Sequence, residues 1–151
     1  MISVTQPDFE RLTPAGVDYA TRPIHEAFDW PAVARPTDAG EWYLVVFRSV
    51  RRLSADEAQL TWFDDRAHEE AAASDGFVHY LKGPLTAERA CLSFCLWDSR
   101  AQARHASGRP LHREAVALIE SSYERYTLEF FLVRKSPGET DFTIEPYDRP
   151  A

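Results

Sequence analysis

The chain has 151 residues, 44% hydrophobic and 13% aromatic, enough for one globular domain that buries a core without disulfide or metal staples. Its formal net charge of -7 argues against a nucleic-acid or anionic-membrane surface, since both are held by clustered Lys and Arg. No run of about 18 apolar residues marks a membrane span, and the opening MISVTQPDFERL lacks the basic and then apolar regions of a secretory signal.

Residues 1–40 contain five of the ten prolines, Pro7, Pro14, Pro23, Pro31 and Pro36. That spacing forbids a long helix. The same stretch carries Phe9, Leu12, Val17, Tyr19, Ile24, Phe28 and Trp30, too apolar for a solvated tail. It reads as an extended N-terminal arm ordered by packing on its own subunit or a neighbour, with a short helical turn from His25 to Trp30.

Residues 41–50, EWYLVVFRSV, form a strand by their aromatic and β-branched content. Alternation puts Tyr43, Val45, Phe47 and Ser49 on one side and Trp42, Leu44, Val46 and Arg48 on the other. Ser54 with Glu57 has the spacing of a capping box and predicts a helix through about Ser74, with Leu60, Phe63, Ala67 and Ala71 as its apolar stripe. His68, beside Glu69 and Glu70, reads as solvated. Asp75-Gly76 turns the chain into a second strand over 76–82, where His79 shares a face with Phe77 and Leu81.

The third strand alternates Ala90, Leu92, Phe94 and Leu96 with Cys91, Ser93, Cys95 and Trp97, and both faces read as buried. Ser99 with Gln102 then opens a second helix, which Gly108 and Pro110 break or kink before it resumes. Residues 125–135, RYTLEFFLVRK, form the last strand, and the tail over 136–151 trails or adds a short edge strand. The order is β, α, β, β, α, β. It predicts an α+β, ferredoxin-like domain over 41–135, with a four-stranded antiparallel sheet and helices on one face. The other face would then expose Tyr43, Val45, Phe47, Cys91, Cys95, Trp97, Phe131 and Val133, which predicts a partner sheet in a two-fold homodimer.

Over residues 41–135 the chain resembles the dimeric α/β barrel superfamily, and within it the antibiotic biosynthesis monooxygenase type. The resemblance lies in Gly76-Phe77-Val78 and in the run from Phe94 through Trp97, Asp98 and Ser99 to His105 and His112. It implies a cavity between sheet and helices that takes a small, flat, hydrophobic molecule. It also implies a Trp and an Asn in the site of cofactor-independent oxygenases and haem-degrading members. Trp97 matches the Trp; the chain has no Asn.

Trp97 is therefore the leading ligand contact, joined by Tyr43, Phe47, Cys95, His105 and Phe131. His79 and Glu129 are the candidate proton-transfer residues, an imidazole titrating near neutral pH and a carboxylate on a sheet face. Glu129 has a structural alternative as half of an ion pair across the dimer, with Arg48 or Arg89 as its partner. Cys91 and Cys95 lie about 13 Å apart along one strand, too far for a bridge or a shared metal ion, so no metal is expected. Reduced thiols point to the cytoplasm. The function these readings add up to is monooxygenase-like action on a small hydrophobic or aromatic compound without a cofactor. The alternative is a non-catalytic dimeric module that binds a small ligand or haem.

Overall fold

A computed structural model describes residues 8–147. Its centre is a five-stranded antiparallel sheet in the order β2-β3-β1-β4-β5. The strands are β1 (Gly40–Arg51), β2 (Phe77–Leu81), β3 (Ala90–Trp97), β4 (Tyr123–Lys135) and β5 (Thr143–Pro146). The fold is α+β and ferredoxin-like, with one strand more than expected, because β5 pairs with the Phe131 to Arg134 stretch of β4 at the sheet edge.

Register decides which side chains share a face. Tyr43 lies opposite Trp97, Val45 opposite Cys95 and Phe130, and Phe47 opposite Ser93 and Leu128. Leu44 lies opposite Leu96 and Phe131, and Trp42 opposite Val133. Phe131 and Val133 therefore belong to the Leu44 face and not, as expected, to the Tyr43 face. A register shift between Phe77 and His79 acts likewise in β2, since an extra residue leaves two neighbours on one side. Phe77 and Tyr80 turn to the Tyr43 face, and His79 turns away from both.

The helices lie over the Tyr43 face. They are α3 (Glu57–Ala72), α4 (Arg100–Ser107), α5 (Pro110–Val116) and α6 (Ile119–Ser122), preceded in the arm by α1 (Ile24–Ala27) and α2 (Trp30–Ala34). Asp56, rather than Ser54, caps α3, its carboxylate accepting from Gln59 N at 3.0 Å. Ser99 caps α4 through Gln102 N at 3.3 Å, and Pro110 starts α5 where its missing N–H costs nothing. Glu70 on α3 ties α5 down, its carboxylate accepting from Leu111 N at 3.2 Å and His112 N at 3.1 Å. Gly76, at φ +82°, makes the turn into β2, a conformation an L side chain rarely adopts.

The opposite face is covered by the arm. Phe9, Leu12, Tyr19, Ile24, Phe28, Trp30 and Val33 are buried with Trp42, Leu44, Val46, Leu92, Phe94, Leu96 and Val133 in one core. Phe28 and Trp30 bring their rings to 5.3 and 5.7 Å from Phe94, close enough for aromatic edge and tilted contacts to add to area burial. Polar groups pin the arm where rings alone would slide. Tyr19 Oη donates to Pro84 O at 2.6 Å and accepts from Leu92 N at 3.3 Å. Arg48 joins Glu129 at 2.8 Å and donates to Ala20 O at 2.9 Å. The buried Lys135 ammonium donates to the carbonyls of Ala34, Arg35 and Thr37. The face expected to be bare, that of Tyr43, is the one the helices cover, and the helix-free face is sealed by the arm, so neither face is left bare for a partner sheet.

Candidate functional site

Between the Tyr43 face and the helices lies a cavity of about 400 Å³, within the range of small-molecule sites. Its floor can be followed row by row across the sheet. Trp97 and Tyr43 lie at one end, followed by Cys95, Val45 and Phe130, then Ser93, Phe47 and Leu128. The next row is Cys91, Ser49 and Tyr126, and the last is Arg51 with Tyr123. Because side chains alternate along each strand, the odd-numbered positions of β1 carry the floor from aromatic to cationic. Leu60, Phe63, Ala67 and His68 of α3, Ala103 and Ala106 of α4, and His112 of α5 form the roof. Leu128, Phe130 and Val116 line the cavity yet stay between 44% and 47% exposed, which marks an apolar mouth along β4.

Burial governs the electrostatics. The Cys95 thiol is pushed up to about 12 by desolvation and accepts from Trp97 Nε1 at 3.1 Å, so it is an uncharged packing group. Burial raises Tyr80, Tyr123 and Tyr126 as well, leaving their hydroxyls protonated donors. Asp64 is raised by burial, opposed by Lys82 at 3.4 Å. His112 is lowered by burial, opposed by Glu70, and is held neutral near pH 7. The His68 ring lies 4.7 Å from Tyr80.

Of the expected site residues, Trp97, Tyr43, Phe47 and Cys95 come together in this cavity. Phe131 does not, since its register places it against the arm-side core. His105 is exposed on α4 and lies outside the lining, so of His105 and His112 only the latter reaches the cavity. His79 and Glu129 are corrected too. The β2 shift turns His79 under the arm, 6.2 Å from Phe9 and 6.3 Å from Phe94. Glu129 faces the arm, paired with Arg48, which is its structural alternative realised within one chain. Arg51, Asp64 and Tyr80 line the cavity without having been expected there, His68 does so although it was expected to be solvated, and His112 was expected only through the family resemblance. Arg51 was legible, because extending the Tyr43, Val45, Phe47, Ser49 alternation by one step reaches it. His112 was not, because its place depends on the Glu70 clamp between α3 and α5.

The fold is that of the ferredoxin-like, dimeric α/β barrel proteins. SnoaB, a cofactor-independent oxygenase from Streptomyces nogalater, superposes with a TM-score of 0.52 at 17% identity, covering 67% of this chain and 100% of that one. Rv0793 from Mycobacterium tuberculosis gives 0.53 at 19% identity over 59% of this chain and 91% of that one. A dimeric ferredoxin-like protein of unknown function from Thermobifida fusca gives 0.50 at 18%, over 61% and 91%. Within this fold the chain belongs to the PB2B2.08-like family, whose profile matches residues 4–146, arm included. It is 25% identical to the UPF0643 protein PB2B2.08 of Schizosaccharomyces pombe over 85% of this chain, and the match spans 66% of the yeast protein's length.

Proposed function

We propose that the cavity binds a small, flat, hydrophobic or aromatic compound and acts on it as a cofactor-independent monooxygenase would. The observation that carries this reading is an aromatic floor and a neutral His112 facing the same cavity. A neutral imidazole can take a proton from an activated C–H or phenolic O–H. The electron-rich carbanion or phenolate left behind can reduce dioxygen. A CH2 then becomes a C=O and the second oxygen atom leaves as water, with no added reductant. SnoaB supports the chemistry by its shared fold alone. His112 takes the proton-transfer role first given to His79 and Glu129, and no step is routed through haem.

The same reading carries over the dimeric state of the T. fusca neighbour, on a surface other than the arm-covered face, and places the free thiols in a reducing compartment. Among the described residues no helix is long and apolar enough to cross a membrane.

The test has two stages. Calorimetry with 2-naphthylmethanol, a flat neutral probe, should show binding that Val45→Trp abolishes by filling the floor while the circular dichroism spectrum stays unchanged. Equal binding by both proteins would place the probe elsewhere and end the cavity reading. Dioxygen uptake with anthrone, lost in His112→Gln, would support catalysis. Probe binding without uptake would favour the non-catalytic ligand-binding alternative.

A further inference from the structure

The polar end of the cavity is more than its aromatic end requires. Arg51 is 13% exposed, and its Nη1 donates to the surface carboxylate of Glu57. Its Nε is buried with no hydrogen-bond partner, and among the described residues no other buried side-chain nitrogen or oxygen is in that position. Leaving such a group unmatched costs about 1–3 kcal/mol, so an oxygen acceptor brought to it is favoured. Lys82 lines the cavity beside Asp64, 3.4 Å away, while Glu57 does not line it. At this end of the cavity Arg51 and Lys82 face one carboxylate, Asp64, while the other two arginines of the lining, Arg100 and Arg104, come from α4. Around them stand Tyr80, Tyr123 and Tyr126, whose hydroxyls stay protonated, with Ser49 and Ser93 on the floor. A cluster of donors around two cations, one of them with an unsatisfied buried N–H, continuous with an apolar slot, has the chemistry to receive an anion attached to a flat ring.

We propose that the Arg51 end is a carboxylate-anchoring subsite, and that the ligand is a small aromatic acid whose ring lies over Phe47 and whose carboxylate meets Arg51 and the tyrosine hydroxyls. This rests on the cavity being a ligand site and narrows what it takes. Burial disfavours the charged form of Asp64, and the Lys82 ammonium 3.4 Å away opposes that shift, so the one carboxylate at this end is held against a cation. The planar guanidinium supplies direction as well as charge, which explains an Arg at the end of β1 where a Lys would give only a point charge.

The experiment compares 2-naphthoate with 2-naphthylmethanol by calorimetry at fixed salt and pH 7. Wild-type protein should bind the acid about tenfold more tightly than the alcohol, the scale of one charge-assisted hydrogen bond. Arg51→Gln should erase that preference by weakening the acid and leaving the alcohol alone. Equal affinities for the two probes in wild-type protein, or an acid preference that survives Arg51→Gln, would overturn the subsite while the cavity reading stands. Failure of both probes to bind would overturn both. Should Arg51→Gln fail to fold, Glu57→Gln decides: freeing Nη1 should tighten 2-naphthoate several-fold, and an unchanged or weaker affinity rejects the assignment.

Discussion

The two faces of the sheet are built from strands of similar composition, yet one is sealed and the other hollow. Leu44, Val46, Leu92, Phe94 and Leu96 lie fully buried beneath the arm. Tyr43, Val45, Phe47 and Cys95, one residue out of phase, look into a cavity. The difference comes from what covers each face. The arm is a chain of short turns, with 3-10 turns at Phe9–Arg11 and Tyr19–Thr21 and helices of four and five residues. Such pieces settle individually into the pleats, and each brings a ring or an aliphatic side chain. The 16-residue α3 is one long helix held at its ends, by the Asp56 cap at one and by the Glu70 and Ser74 contacts with α5 and Arg109 at the other. A long helix over a twisted sheet leaves volume beneath it, and polar side chains can occupy that volume.

The strongest way to break this comparison is to delete residues 1–37. The sheet would lose the cover over its arm-side face and expose a contiguous apolar surface of the kind that soluble monomers avoid. The truncated chain should self-associate in sedimentation or lose its folded circular dichroism signal. A monomer with an unchanged melting temperature would show that the arm is ornamental. A finer version uses single rings. Phe94→Ala removes the ring that Phe28, Trp30 and His79 surround and should cost about 3–5 kcal/mol in denaturant unfolding. Phe47→Ala, facing space already open, should cost about 1 kcal/mol and instead weaken 2-naphthylmethanol binding. Similar losses of stability in both variants would mean that the two faces are packed alike.

The alternation along β1 and β3 was readable because it is local to each strand, and the β, α, β, β, α, β order followed from it. What alternation cannot supply is register between strands, and a one-residue difference moves a side chain to the other side of the sheet. Phe131, Val133 and His79 were assigned to the wrong company for this reason, the last through the shift between Phe77 and His79. The arm was recognised as packed, but nothing local says which face it takes, so the helices were matched to the wrong one. Glu129 shows the same limit from the other side: an ion pair with Arg48 or Arg89 was expected across a dimer, and register within one chain joins it to Arg48 instead. In the cavity, the β1 contribution was legible from one strand's parity. The α3 and α5 contributions needed the tertiary placement of Glu70 and His112.

His79 offers the most delicate probe of the sealed face. Burial under the arm lowers its pKa below the ordinary 6.5, and the nearby Glu10 and Asp8 oppose that shift without cancelling it. A histidine easier to protonate in the unfolded chain gives stability that is complete above about pH 6.5 and falls as the pH drops toward the folded value, because the unfolded state then binds more protons. The slope cannot exceed about 1.4 kcal/mol per pH unit for one group. His79→Phe keeps the ring against Phe9 and Phe94 and removes the titration, so unfolding free energy measured from pH 7 to pH 5 should decline less steeply than in wild-type protein. His112, also lowered by burial, titrates on the cavity side and adds its own slope to both proteins, so the difference between the curves isolates the arm face. Superimposable curves would mean that water reaches His79 and that the arm lifts from the sheet at its Phe9 end.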